Sequence, residues 1–165
     1  MGLFDFVKDA GEKIFGGDDD KKAPKSAEPQ VRTQEMALAD RAKGESLTRM
    51  VSGMKLGTDD VAVKFRDGLA TITGTAASQA DRERLILLVG NTRGVARVDD
   101  RMTVETPEPE AKMYTVKSGD SLSKIAKEFY GDPMKYPEIF KANQPMLENP
   151  DKIYPGQVLR IPALD

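Results

Sequence analysis

Residues 61–74, VAVKFRDGLATITG, decide the fold of the first half of the chain. Val61, Val63 and Phe65 alternate with polar residues, as in a strand with one buried face. Asp67-Gly68 is the two-residue signal for a type I′ hairpin turn, whose central residues both need positive φ. That turn sets Arg66 opposite Leu69, Phe65 opposite Ala70 and Val63 opposite Ile72. Those last four residues, with Val61 and Gly74, then share one face. Turn chemistry and hydrophobic pattern agree on the register.

Upstream of the hairpin, Leu47, Met50, Val51 and Met54 recur at helical spacing, with Gly57 as a stop. The stretch 31–43 is weaker, helical or loose. Downstream, Ser78 is a helix cap and Asp81 supports the first turn. Leu85, Leu88 and Val89 form the stripe of that helix, with Ile86 beside it, and Gly90-Asn91 ends it. Val98, Met102 and Val104 then mark one face of a strand. The order helix, hairpin, helix, strand predicts an α+β unit whose sheet is covered by helices on one face.

A second unit follows. Tyr114 and Val116 alternate in a strand, and Ser118-Gly119-Asp120-Ser121 turns the chain and caps a helix. Leu122, Ile125, Ala126 and Phe129 are the stripe of that helix, which stops at Gly131. Tyr136, Ile139 and Phe140 mark another helix, and Leu159 and Ile161 alternate in a final strand. The polar, Gly- and Pro-punctuated stretch 17–30 and the segment 105–112, ETPEPEAK, read as linkers. The expected organisation is an N-terminal segment 1–16 docked on the first unit, a linker 17–30, a unit 31–104, a linker 105–112 and a βααβ unit 113–165.

Composition narrows the function classes. The 165 residues include no Cys, His or Trp. Thiol catalysis, the usual zinc sites and imidazole acid–base chemistry are thereby removed. Lys plus Arg number 25 against 27 Asp plus Glu, so the basic excess of a duplex-DNA binder is missing. No P-loop, G-x-S-x-G or dinucleotide glycine pattern occurs. Asp99 and Asp100 are adjacent and point to opposite faces of a strand, which prevents a two-carboxylate site. The expectation is a binding protein, not an enzyme.

The N-terminus, MGLFDFVKDAGEKIFGG, lacks the basic start and uninterrupted apolar run of a secretory signal. It does not fit the myristoylation pattern, because Phe6 stands where Ser or Thr is wanted. Cytoplasmic location is the expectation. Leu3, Val7, Ala10 and Ile14 recur at helical steps, flanked by Phe4, Phe6 and Phe15. Two lysines against three acids argue against an anionic bilayer. Docking onto the protein's own surface is favoured over a membrane. Gly11 interrupts the stripe, and a helix broken there leaves backbone carbonyls available.

The second unit resembles a LysM domain in YTVKSGDSLSKIAKEFYG at 114–131, the Asn143-x-Pro145 step and IYPGQVLRIP at 153–162. The first resembles a BON domain in GLATITGTAASQADRERLILLVG at 68–90 and GVARVDDRMTV at 94–104. The whole chain resembles the BON–LysM potassium-binding proteins of the bacterial cytoplasm, departing from them in 17–56. That resemblance implies a monomeric K⁺ sensor or buffer that compacts when it binds the ion, without nucleic acid or membrane as partner. A K⁺ site is built from neutral carbonyl oxygens, supplied by non-helical turns and broken helix ends. Two stretches qualify: 7–15 around Gly11, and 89–94, VGNTRG. Together with the resemblance they point to the main-chain oxygens of Val7, Ala10, Glu12, Phe15, Gly90 and Thr92. LysM resemblance also implies an alternative: a cell-envelope protein that binds peptidoglycan or N-acetylglucosamine. Its groove would lie between Gly119, Asp120, Ser121 and Leu122 on one side and Asp151, Lys152, Ile153 and Tyr154 on the other.

Overall fold

The computed structural model describes residues 2–6 and 34–164. Strand β1 (Gly2–Asp5) precedes helix α1 (Gln34–Ser52), the hairpin β2 (Thr58–Arg66) and β3 (Leu69–Ser78), helix α2 (Gln79–Gly90) and strand β4 (Arg97–Thr106). The C-terminal part follows as β5 (Lys112–Thr115), α3 (Leu122–Tyr130), a 3₁₀ turn at Pro133–Lys135, α4 (Tyr136–Ala142) and β6 (Val158–Ile161). The arrangement is α+β. One sheet has the order β1-β4-β3-β2, and β5 pairs with β6 in a second.

The hairpin has the register expected of its turn, with Phe65 opposite Ala70 and Val63 opposite Ile72. Asp67 and Gly68 have φ of 48° and 85°, as a type I′ turn requires. Strand β3 runs parallel to β4, and α2 makes the crossover between them. Ser78 caps α2 by accepting the Asp81 N–H.

Three local expectations differ from the structure. The N-terminal residues 2–5 form a strand, not a helix. Strand β1 is antiparallel to β4, with Leu3 opposite Asp99 and Phe4 opposite Val98. The edge of β4 offers these few residues a hydrogen-bond ladder, whereas a short helix must nucleate alone. A period of two results: Phe4 and Phe6 pack on the core, and Leu3 points outward at 55% exposure. Val7, Ala10 and Ile14 of the expected stripe lie outside the described residues.

Helix α1 ends at Ser52, so Met54 is beyond it. Its tight approach to β2 is set by Gly44, where a Cβ would lie 3.0 Å from Val63 O and 3.1 Å from Phe65 N. Thr48 Oγ1 accepts the Val63 N–H at 2.9 Å and lies 3.2 Å from Val63 O, which closes the outer edge of β2.

The third difference is in β6, where Leu159 and Ile161 were expected to alternate with exposed residues. All four residues of β6 are buried. Likewise α2 is buried continuously from Leu85 to Gly90, not along one stripe. Both follow from one fact: α2 lies between the large sheet and β6, so each element is covered on two sides. The buried apolar residues of the described structure, Ala76 and Ala142 apart, form one cluster.

Candidate ion-binding turn and its surroundings

The turn after α2 accounts for most of its helix-end carbonyls. Leu87 O accepts the Asn91 N–H and the Asn91 Nδ2 group, each at 2.9 Å. Leu88 O accepts Thr92 Oγ1 at 2.9 Å, and Val89 O accepts the Thr92 N–H at 3.1 Å. The chain leaves the helix at Gly90, and Thr92 O accepts the Val95 N–H at 3.2 Å. A helix C-terminus carries partial negative charge, which suits a cation held by main-chain oxygens. Among the described residues no group of three or more Asp, Glu, His or Cys side chains could hold a metal.

Strand β1 delivers the N-terminal chain to this turn. Asp5 pairs with Arg97 at 2.9 Å. Phe6 N–H donates to Ala96 O at 2.7 Å. The Phe6 ring fills the space above Gly90, where a Cβ would lie 2.0 Å from Cζ. Of the six expected main-chain ligands, Gly90 and Thr92 are in the turn just described. Val7, Ala10, Glu12 and Phe15 lie outside the described residues.

The expected glycan-groove residues make local contacts. Asp120 Oδ2 accepts Tyr114 Oη at 2.6 Å and the Lys117 N–H at 2.8 Å. The phenol hydrogen bond is the main cause holding the Asp120 carboxyl below its usual range. The same bond, reinforced by burial and the carboxylate charge, pushes the Tyr114 phenol up to about 12. Lys124 Nζ bonds Gly119 O at 2.9 Å, Ser121 caps α3, and Leu122 is buried in the core. In the other expected loop, Asp151 N–H bonds Asn149 Oδ1 and Lys152 N–H bonds Asn149 O. Ile153 packs against the core, and Tyr154 N–H reaches Gln157 Oε1 at 3.4 Å.

The BON domain profile matches residues 40–106, and the LysM domain profile matches residues 114–162. The chain is 44% identical over 167 aligned positions to potassium binding protein Kbp of Escherichia coli, covering 98% of this chain and 99% of that protein. It belongs to the Kbp family. Shorter matches reach an uncharacterized protein of Deinococcus radiodurans and the Bacillus subtilis protein YqbP. The first is 60% identical over 51 residues, or 31% of this chain and 19% of that protein. The second is 42% identical over 60 residues, or 31% of this chain and 27% of that protein.

The BON and LysM domains are joined at the same turn. Asn91 donates Nδ2 to Val158 O at 2.8 Å, and its Oδ1 accepts the Val158 N–H at 2.9 Å. One BON side chain thus pairs with a LysM strand as a neighbouring strand would. Glu83, 2% exposed, adds a buried charge contact. Its Oε2 accepts Arg160 Nε at 2.7 Å, and its Oε1 accepts the Ala111 N–H at 2.8 Å and Gln79 Nε2 at 3.2 Å. Helix α2, the interdomain segment and β6 meet at this one carboxylate. By sequence Asn91 is a helix stop, and nothing local marks Glu83. Their partners are 67 and 77 residues away, and no local pattern encodes them.

Proposed function

We propose that this protein binds a potassium ion selectively and acts as a cytoplasmic K⁺ sensor or buffer. The ligands in this reading are the main-chain oxygens of Gly90 and Thr92 in the BON turn, with Val7, Ala10, Glu12 and Phe15 from the N-terminal segment. The units are the N-terminal segment 1–16, linker 17–30, BON unit 31–104, linker 105–112 and LysM unit 113–165. The protein works as a monomer that compacts on binding. Its function is binding, without catalysis and without a nucleic acid or membrane partner.

The observation that carries this reading is the seat of Phe6 on Gly90, which brings the end of strand β1 against the 89–94 turn. Near-full-length similarity to a protein named for potassium binding supports the choice of ion. The physical mechanism is a population shift. An ion that binds only the closed state stabilises it by RT ln(1 + [K⁺]/Kd).

The test is a calorimetric titration of K⁺ into protein in choline buffer, with Na⁺ as the control. A saturable signal with K⁺ and none with Na⁺ is expected. Flat traces for both ions would remove the ion reading. The LysM match supports a second reading, peptidoglycan binding at the groove of residues 119–122 and 151–154. Titrating an N-acetylglucosamine oligomer tests it.

A further inference from the structure

We infer that the hollow beside the end of α3 is a binding site for a small amphipathic monocarboxylate, a compact apolar body carrying one carboxylate group. The hollow shares no residue with the 89–94 turn or with the loops 119–122 and 151–154, so it stands apart from both readings above.

The floor is apolar and its walls are already fixed. Phe129, Ile161, Pro162 and Leu164 line a cavity of about 500 Å³, within the range of small-molecule sites. Phe129 packs edge-on against Tyr114, with ring centroids 5.5 Å apart. Tyr130 Oη donates to Pro162 O at 2.5 Å, which ties the end of α3 to the chain after β6. Glu83 steadies two further stretches of the wall. It accepts the Ala111 N–H, between Glu110 and Lys112, and it pairs with Arg160, the neighbour of Ile161. A site built before its ligand arrives loses little conformational entropy on binding. Leu164 remains 39% exposed, an apolar lip that a ligand would cover.

The rim sets the charge of the ligand. Lys112 lies opposite Ile161 in the β5–β6 register, with Nζ 5.9 Å from the centroid of the Phe129 ring. Lys135, exposed at the end of the 3₁₀ turn, also lines the cavity. Neither ammonium has a carboxylate partner among the described residues. Glu110 is the acid of the described lining, so two cations face one anion. An amine is repelled by that balance and a neutral amide gains nothing from it. A carboxylate finds complementary charge beside an apolar floor.

The test is an NMR titration of the full-length chain with 4-phenylbutyrate, read at the backbone amides of Lys112, Tyr130 and Ile161. The neutral 4-phenylbutanamide and the cationic 4-phenylbutylamine are the controls. Saturable shifts with the carboxylate are expected, with a dissociation constant below about 1 mM, as suits a ligand of so few atoms. The amide and the amine should bind more weakly, in that order. Lys112→Met and Lys135→Met should each weaken the carboxylate about two- to fivefold, the range for one exposed charge contact. Glu110→Gln should tighten it, because a like charge leaves the rim. All three side chains are exposed, so the variants keep the fold. Added salt should weaken binding of the carboxylate more than that of the amide.

Shifts that map away from these amides would overturn the inference, as would the absence of saturable shifts. Equal affinity for the carboxylate and the amide would overturn it too, and so would unaltered affinity in both lysine variants. None of these outcomes bears on the K⁺ titration, which tests a separate site.

Discussion

Asn91 and Asn143 end two helices in different domains with nearly the same bonds. Each follows its helix as the C-cap residue and is 2% exposed. Each side-chain amide returns to the carbonyl four residues back, Leu87 O at 2.9 Å and Ile139 O at 2.7 Å. Each then clamps one residue of β6 through both backbone groups. Asn91 holds Val158 at 2.8 and 2.9 Å, and Asn143 holds Arg160 at 2.9 and 2.8 Å. Alternate residues of one strand edge are satisfied by two side chains in place of a third strand.

The difference is where each clamp comes from. Asn143 is 17 residues from its partner and within the LysM domain, so its bonds form when that domain folds. Asn91 is 67 residues away in the BON domain, so its bonds form only when the domains dock. Half of the β6 edge is sealed by folding and half by docking. Domain separation leaves the N–H and C=O of Val158 without the partner that a buried strand edge requires.

Glu83→Ala is expected to have the largest effect. It strands the Arg160 guanidinium in a buried site and removes the acceptor of Ala111 N–H and Gln79. Breaking one side of a buried pair costs about 3 to 5 kcal/mol. Urea denaturation of the full chain measures it. A loss under 1 kcal/mol would show that water replaces the carboxylate and that the interface is loosely sealed.

Asn143→Ala and Asn91→Ala separate the two clamps. Each leaves buried backbone groups unpaired, at about 1–3 kcal/mol for each unsatisfied group. Residue-resolved hydrogen exchange distinguishes them. Asn91→Ala should speed exchange at the Val158 amide and leave Arg160 protected. Asn143→Ala should expose the Arg160 amide and lower the stability of the LysM domain. Equal release of both amides in Asn91→Ala would mean that the edge behaves as one unit, and the contrast would collapse.

A smaller effect is expected at the edge of β2, which is closed from within its own domain. Thr48→Val keeps shape but removes the acceptor of the Val63 N–H, at about 1–2 kcal/mol. Thermal unfolding measures it, and K⁺ affinity is expected to be unaltered.

The mildest change is at Tyr114, whose phenol bonds Asp120 within the LysM domain. Its phenol is raised to about 12, with the Asp120 hydrogen bond as the largest cause. A raised tyrosine supports the folded state fully below its unfolded value of about 10, and this support is lost as pH climbs from there through the folded value. Asp120 is lowered, so its own support is present above the ordinary carboxylate value and lost as pH falls through the folded one. Burial raises the Tyr130 phenol as well, so an ultraviolet titration of the four tyrosines should show late phenols of which Tyr114→Phe removes one. If Tyr114→Phe removes no late phenol, the Tyr114–Asp120 bond is absent in solution.

Local chemistry made much of the fold legible in the sequence. Asp67-Gly68 requires positive φ at two adjacent positions, and that sets the pairing of Val63 with Ile72. Ser78, Ser121 and Gly131 are helix boundaries for reasons contained within a few residues of each. The candidate turn 89–94 was legible as a broken helix end. The seat of Phe6 was not, because a ring and a glycine 84 positions apart share no local pattern.

What the sequence by itself determined was therefore the order of elements from α1 to β6 and the register of the hairpin, together with the two-domain order. Only the tertiary structure decided which faces are covered. Arg160 reads as an exposed position in an alternating strand, yet it is buried because Glu83 of the other domain meets it there. Residues 2–5 read as the start of a helical stripe, yet they are a strand because the edge of β4 offers them partners. Turns and caps are governed by neighbours along the chain. Burial and edge pairing are governed by neighbours in space, and those exist only once the chain has folded and, for Arg160 and Val158, once the domains have come together.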